Sequence, residues 1–111
     1  MTHVKWKRIP LRHCFRLVSG STPSTSESDY WDGDATWITP DDLGRLDKKR
    51  ISVSARQITA AGAASIGDRC VPPGSLVLST RAPIGHLGIA DAPLCTNQGC
   101  KSLVPVTPID P

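Results

Sequence analysis

Two short polar loops carry the side chains best suited to chemistry in this 111-residue chain. The first runs from Ser79 to Gly85, directly after an apolar run at 76–78, and the second covers Thr96–Gly99. Both offer hydroxyl, amide or guanidinium groups, and neither has the spacing of a metal site or a catalytic triad. Such groups bond to phosphates and base edges, so the loops favour recognition of a large polar surface over catalysis.

Arg81 is the strongest single candidate for contact with such a surface. It follows the best strand-like run of the chain, where a loop can aim its planar guanidinium at guanine or at a phosphate. A salt bridge that ties the loop down is an equally open interpretation. Gln98 can read an adenine edge or merely cap a turn, whereas Asn97 is expected to close a turn beside its glycine.

Hydroxyl side chains supply the next candidates, because they and their backbone N–H groups donate to phosphates. They lie in a loop rich in Ser and Thr, for which a solvated surface is the alternative interpretation. These candidates are Ser21, Thr22, Ser24 and Thr25. The basic side chains that could add nonspecific phosphate contacts are Lys48, Lys49, Arg50 and Lys101. A short basic run is, however, often only a solvated surface.

Catalytic and metal chemistry has less support in the sequence. Asp32, Asp34 and Asp41 could serve a metal-dependent nuclease, but the lysine and further carboxylate of such sites are missing. Asp41 is better explained as a helix N-cap. The three histidines are scattered, and no phosphate-binding loop or methyl-donor motif occurs, so no cofactor and no metal are expected.

The four cysteines, at positions 14, 70, 95 and 100, form no Cys-x-x-Cys pair. Their neighbours are largely apolar, so we expect four small buried thiols in a reducing cytosol, with a disulfide or metal site as the alternative.

The composition limits the fold and the setting. A length of 111 residues suits one small domain with a modest core, and ten Pro and nine Gly indicate many short elements joined by turns. The net charge of +3 permits contact with a polyanion without requiring it. No apolar run approaches the roughly 18 residues of a membrane span. No signal-peptide pattern is visible either, so a soluble, cytoplasmic protein is expected.

Helical spacing of Leu11, Cys14, Phe15 and Val18 predicts a first helix that ends at Gly20. An extended polar loop over 19–36 follows, with Trp31 and Trp37 expected to anchor its ends. Strands are predicted at 37–39, 51–53, 76–79, 87–90 and 103–104, with a helical turn at 41–44 and a helix at 60–66 capped by Thr59. The expected class is α+β, with short helices packed on a small curved, mostly antiparallel sheet and long polar loops.

Seven segments in order, spread over 19–105, give the chain a family resemblance that covers 6–111. It resembles the target-recognition domain of specificity subunits from type I restriction-modification systems. The segments are Ser19–Ser24, Tyr30–Gly33, Trp37–Leu43, Ile58–Gly62, Val71–Ser75, Ser79–Gly85 and Asn97–Pro105. The family usually has an aromatic after Asn-Gln-Gly, where this chain has Cys100, which indicates a smaller core side chain.

The resemblance implies a non-catalytic module that binds double-stranded DNA and reads one half of a bipartite target. Methylation and restriction subunits are the implied protein partners, and neither a membrane nor a small-molecule substrate is implied. Residues 1–111 would form one recognition domain that is incomplete at its C-terminus, without the helical spacer and second recognition domain. The alternatives are a truncated subunit that acts in protein–protein interaction and, with less support, a small metal-dependent nuclease. The resemblance also places the shared segments in the scaffold, because domains that read different sequences must differ at their base-contacting residues. Arg81 lies in such a segment, so a scaffold role is its alternative to base reading.

Overall fold

The computed structural model describes residues 14–106, which form eight strands and two short α-helices. The strands are β1 Phe15–Ser19, β2 Trp31–Ile38, β3 Arg50–Ile51, β4 Arg56–Ile58, β5 Leu76–Ser79, β6 Leu87–Ala90, β7 Leu94–Thr96 and β8 Cys100–Pro105. The helices are α1 Pro40–Gly44 and α2 Ala60–Ser65, and a 3-10 turn covers Ser28–Tyr30. None of the helices in this range is both long and apolar enough to cross a membrane. The α+β class is confirmed.

The strands form two sheets rather than the single sheet expected. The larger has the order β1-β8-β5-β6-β3 and is antiparallel except where β3 pairs with β6. The smaller has the order β4-β2-β7, with β4 antiparallel and β7 parallel to the central strand. Most pairings are thus antiparallel, as predicted, and the two parallel contacts join strands that are far apart in sequence.

The core consists of two clusters of buried side chains, one on each face of the three-stranded sheet. Val77 and Val104 of the five-stranded sheet share one buried cluster with Ile38 and Leu94 of the three-stranded sheet. The opposite face of the three-stranded sheet carries a second cluster around its tryptophans, which includes residues of the α2 segment. That cluster contains Trp31, Trp37, Ile58, Ala63, Ile66 and Cys95. The smaller sheet therefore lies between the larger sheet and α2.

The other face of the five-stranded sheet stays partly open and is apolar. Cross-strand partners have their side chains on the same face of a sheet, and the register aligns Leu17, Leu103, Leu76 and Ile89 in one row. Leu17 retains 62% of its exposure. We call this face, together with Leu78 and Leu87 of the next row, the outer sheet face.

The helix predicted over 11–18 is wrong from Phe15 onward, and residues 10–13 lie outside the described range. Phe15–Ser19 is strand β1, which pairs with β8 in continuous register from Phe15 opposite Pro105 to Ser19 opposite Lys101. Pairing with a strand from the other end of the chain decides the local structure, and the helical spacing of the apolar residues does not.

The polar loop predicted over 19–36 is also shorter than expected, because β2 begins at Trp31. The segment 32–34 forms a bulge inside this strand. Trp31 and Ala35 both pair with Ile58, and Asp32 between them takes a positive φ of 61°. A bulge of this kind keeps the strand paired while it absorbs extra residues.

Both helix caps are made by threonines. Thr59 caps α2 as predicted, with its hydroxyl accepting from the Gly62 amide at 3.0 Å. The cap of α1 is Thr39 and not Asp41, because Thr39 and Asp42 form a reciprocal capping box. The two carboxylates of α1 therefore differ in role: Asp42 serves the cap, and Asp41 is ion-paired with Arg45.

Strands β5 and β6 have the predicted bounds, and β3 is shorter than predicted. The sequence did not indicate β4 or β7. The expectation of four buried thiols holds only for Cys100, because Cys14 is half-buried. Cys70 is exposed and forms a disulfide bond with buried Cys95, which is the alternative that the cysteine pattern left open. The antiparallel bridge between Val71 and Leu94 brings these two cysteines together.

Candidate nucleic-acid interface

Five strand termini meet at one end of the two sheets and bring three polar loops together. The C-terminal ends of β1 and β5 lie beside the N-terminal end of β8, through the pairs Ser19–Lys101 and Ser79–Cys100. The C-terminal ends of β2 and β7 pair at Ile38 and Thr96. We call this end the loop edge, and it comprises residues 20–27, 80–86 and 97–99. The two loops singled out in the sequence are therefore neighbours.

Ser79 holds the loop 80–86 in shape. Its side chain is buried, and its hydroxyl donates to the Pro83 carbonyl at 2.7 Å while accepting from the His86 amide at 2.9 Å. Its backbone amide and carbonyl also bond to His86 and Gly85. The prediction that Ser79 presents an outward hydroxyl is therefore wrong, because this hydroxyl stabilises the loop from inside. The residues that follow Ser79 in the loop are exposed.

The Gly99 carbonyl joins loop 80–86 to loop 97–99. It accepts from the backbone amides of Thr80 and Arg81 at 2.8 and 3.2 Å. Asn97 accepts from the Gly99 amide at 2.8 Å through its side chain, which confirms the expectation that Asn97 closes a turn. The backbone leading to Arg81 is thus fixed by bonds that do not use the Arg81 side chain.

The two core tryptophans hold the hydroxyl-bearing loop 20–27 in place. Trp37 donates its indole N–H to the Ser21 carbonyl at 3.1 Å, and Trp31 donates to the Ser24 carbonyl at 3.0 Å. The Ser21 amide donates in turn to the Thr96 carbonyl at 3.0 Å. This confirms that the tryptophans anchor the segment predicted over 19–36, although both hold its N-terminal part rather than its two ends.

Most of the candidate contact residues lie at the loop edge. Ser24, Thr25 and Arg81 are exposed, and Ser21 and Thr22 are half-buried. The Thr22 hydroxyl donates to the side-chain carbonyl of exposed Gln98, so loops 20–27 and 97–99 are also joined through side chains.

Arg81 and Lys101 differ in whether their charged groups bond to another side chain of the described residues. Within residues 14–106, Arg81 forms no ion pair, so the salt-bridge interpretation of this residue finds no support there. Lys101 is half-buried, and its ammonium group donates to the Ser19 hydroxyl at 2.8 Å. Of the other basic residues, Lys48 and Lys49 are exposed, and Arg50 is paired with Asp91 at 2.6 Å near the far end of the larger sheet.

The aspartates of the nuclease alternative do not form a metal site. Among the described residues, the structure brings together no group of three or more His, Cys, Asp or Glu side chains that could hold a metal ion. A cleft of about 740 Å³ does occur around Asp34, Thr36 and Gln57, away from the loop edge. None of the candidate contact residues lines it.

Cys100, which replaces the aromatic usual in the resembled family, is fully buried in the core next to the loop edge. This confirms the interpretation of a smaller core side chain. Burial, reinforced by the negative charge of Asp42, raises the pKa of the Cys100 thiol to about 12. Because the thiolate is the reactive form, Cys100 is expected to be inert.

The inertness of Cys100 can be tested by alkylation with iodoacetamide at pH 8 without reductant, followed by peptide mass spectrometry. Cys14 is half-buried and is the internal control. We expect Cys14 to be alkylated in the native protein and Cys100 only after denaturation. Alkylation of both at equal rates would show that the core around Cys100 opens readily.

Comparison with known proteins places this architecture in one family. The sequence model for the type I restriction modification DNA specificity domain matches residues 3–110. The chain is 40% identical over 100 residues to the type I restriction enzyme MjaIX specificity subunit of Methanocaldococcus jannaschii, covering 90% of this chain and 23% of that protein. It is 32% identical over 96 residues to the EcoprrI specificity subunit of Escherichia coli, covering 86% of this chain and 23% of that protein.

A solved structure shares the fold. The HsdS subunit from Thermoanaerobacter tengcongensis superposes with a TM-score of 0.63 at 22% identity, over 92% of this chain and 24% of that chain. This chain thus spans about a quarter of the length of the curated relatives and of this structure. The match of the family model over nearly the whole sequence, with the fold that goes with it, shows that the chain belongs to the type I restriction modification DNA specificity domain family.

Proposed function

We propose that this chain is a DNA-recognition module of a type I restriction-modification specificity subunit, which binds one half of a bipartite target in double-stranded DNA. The observation that carries the proposal is the loop edge, where three polar loops lie side by side. Hydrogen bonds from buried side chains and from main-chain groups hold these loops in place. Its exposed hydroxyl, amide and guanidinium groups are the types that contact phosphates and bases. The family membership supports the same conclusion.

In this proposal loop 20–27 positions the module on the DNA backbone, and loops 80–86 and 97–99 contact the bases. Ser21, Thr22, Ser24 and Thr25 donate to phosphates through hydroxyl and backbone N–H groups, and they fix the register of the module on the duplex. Lys101 adds positive charge next to them, which strengthens binding to any sequence.

Arg81 and Gln98 are the proposed base readers. Arg81 has its backbone fixed and its guanidinium free of ion pairs within the described range, so its planar fork can meet the O6 and N7 atoms of guanine. The Thr22 bond orients the Gln98 amide and leaves its two N–H donors and one lone pair of its oxygen for a base edge.

The module is proposed to recognise DNA without catalysing a reaction. The methylation and restriction subunits would supply the chemistry, so this chain needs no cofactor of its own. We further propose that residues 1–111 form most of one recognition domain, to which a helical spacer and a second recognition domain belong in the complete subunit. Alone, the module is expected to bind DNA weakly and mainly through the salt-dependent phosphate contacts.

The test is fluorescence-polarisation binding to a randomised duplex pool over a salt series, followed by sequencing of the retained DNA. A half-site reader is expected to lose affinity steeply with salt and to enrich a motif of a few base pairs. Retention without enrichment would indicate a phosphate-binding scaffold without sequence readout. No retention at low salt would contradict the proposal.

Arg81→Ala is the variant that tests base reading. We expect it to lose roughly 1–3 kcal/mol of discrimination at one position of the enriched motif, the usual value of one bidentate contact. Arg16→Ala is the matched control, because Arg16 is exposed on β1 and pairs with Val104, away from the loop edge. Equal losses in both variants, at every motif position, would show that Arg81 contributes only charge.

One observation favours protein–protein interaction as a second candidate function. The outer sheet face leaves Leu17 and Leu87 at 62% and 47% exposure, beside half-buried Leu and Ile side chains. Ser19 and Lys101 lie in the same row as Leu78 and Leu87, at the end of this face next to the loop edge. Apolar faces of this kind often mark contact with another protein segment. The pool experiment separates the two functions, because a module that only docks against protein would retain no DNA.

A further inference from the structure

We propose that Arg56, held on the face of Trp31, is a phosphate-contacting residue that extends the DNA surface from loop 20–27 onto the three-stranded sheet. The inference rests on the proposed function, and it assigns a role to a residue that no sequence motif indicated. Arg56 begins β4, the edge strand of that sheet, and is exposed. Its guanidinium carbon lies 3.8 Å from the centroid of the Trp31 ring.

The platform under this guanidinium is rigid. Trp31 is buried, with its indole N–H bonded to the Ser24 carbonyl and its ring packed edge-on against Trp37 at 5.1 Å between centroids. The backbone of Arg56 is fixed as well, because its carbonyl accepts from the Ser54 hydroxyl, which in turn accepts from the Trp37 amide. Arg56 is therefore held both at its backbone and at its guanidinium group.

The charge of Arg56 is held in position but not neutralised by a carboxylate. Two other arginines of the described range are ion-paired, Arg45 with Asp41 at 3.0 Å and Arg50 with Asp91 at 2.6 Å. No such pair is found for Arg56 within residues 14–106. A guanidinium stacked on a ring keeps its in-plane N–H groups available, and two of them match the oxygens of a phosphate.

Arg56 lies next to other groups that can bind the same phosphate. Trp31 contacts Arg56 with its ring face and Ser24 with its ring edge, so a fixed cation lies beside the loop that carries exposed Ser24 and Thr25. Hydroxyl and backbone donors next to a guanidinium are the combination that holds a DNA backbone phosphate. A phosphate bound there would be a contact with the DNA backbone, separate from the base contacts proposed for Arg81 and Gln98.

The test measures Kd for the 111-residue chain against a randomised 20-base-pair duplex over a salt series, for wild type, Arg56→Gln and Arg56→Lys. One lost phosphate contact is expected to reduce the slope of log Kd against log salt by about 1, uniformly across sequences. Arg56→Lys keeps the charge and is expected to restore most of the slope. A purely structural role in stacking on Trp31 would change thermal stability and leave the slope unaltered.

Arg16→Gln is the matched control, because Arg16 is exposed on β1, away from the loop edge, and forms no ion pair within residues 14–106. The variant therefore removes the same unpaired charge and is expected to leave the slope unchanged. If wild type binds DNA while Arg56→Gln keeps the wild-type slope, the inference about Arg56 fails and the proposed function stands. Equal slope changes in Arg56→Gln and Arg16→Gln would also overturn it, since the effect would then come from the net charge of the protein. Failure of wild type to bind any duplex would overturn both.

Discussion

Trp37→Ala is expected to lower the free energy of unfolding by about 3–5 kcal/mol, the usual loss for a truncated buried aromatic side chain. Trp37 is only 5% exposed, packs edge-on against Trp31, and donates to the Ser21 carbonyl at 3.1 Å. The substitution therefore leaves a cavity between α2 and the smaller sheet and removes one anchor of loop 20–27. Urea denaturation followed by far-ultraviolet circular dichroism measures the loss.

Trp37→Phe is the control for this prediction. It keeps most of the buried ring but cannot donate to Ser21, so its loss is expected to be smaller, roughly 1–3 kcal/mol for an unsatisfied buried carbonyl and a reduced ring. The difference between the two variants separates packing from the hydrogen bond. A loss below about 1 kcal/mol in Trp37→Ala would mean that this aromatic pair is not a core element.

Gly20→Ala is expected to destabilise the protein by about 3 kcal/mol, at the upper end of the cost of overpacking. An added Cβ would lie 2.0 Å from the Asn97 carbonyl oxygen and 2.1 Å from the Thr96 hydroxyl. These groups belong to backbone and to a buried residue, so loop 20–27 must move away from loop 97–99. We therefore expect the variant to lose DNA affinity even at temperatures where it is folded. Denaturation and duplex titration measure the two effects.

Gly44→Ala is the matched control for the Gly20 variant. Its Cβ would lie 3.1 Å from the Pro83 ring and 3.7 Å from the His86 ring, and a proline ring can shift slightly. Its loss is expected to stay below about 1 kcal/mol, the range of a local contact that can relax. Similar losses in both glycine variants would show that the close approach of loops 20–27 and 97–99 is not structurally required.

Features with a local cause were predictable from the sequence. The cap at Thr59 and the turn closed by Asn97 depend on side chains that bond to amides two or three positions away. Strand β5 was predictable because its apolar run ends at a polar group and a loop with Gly and Pro. The Trp anchors of loop 20–27 were likewise indicated by large apolar residues within a polar stretch.

Features that depend on distant partners were not predictable in the same way. Strand β1 forms because β8 pairs with it, and the bond between Thr22 and Gln98 joins residues 76 positions apart. The Cys70–Cys95 disulfide depends on the bridge between the segments that carry these residues, which has no signature in the cysteine spacing. The stacking of Arg56 on Trp31 was not predictable for the same reason, because Trp31 lies 25 positions earlier in the sequence.

The bonds that fasten the loop edge through main-chain atoms also bear on how such a module can change its target over evolution. The Gly99 carbonyl holds the amides of Thr80 and Arg81, and the Thr96 carbonyl holds the amide of Ser21. Main-chain groups of this kind are present whichever side chain a position carries. Under the proposed function, substitutions at the exposed positions would therefore change the preferred DNA sequence without loosening the backbone frame. New specificities would then arise by single substitutions in a fold that stays intact.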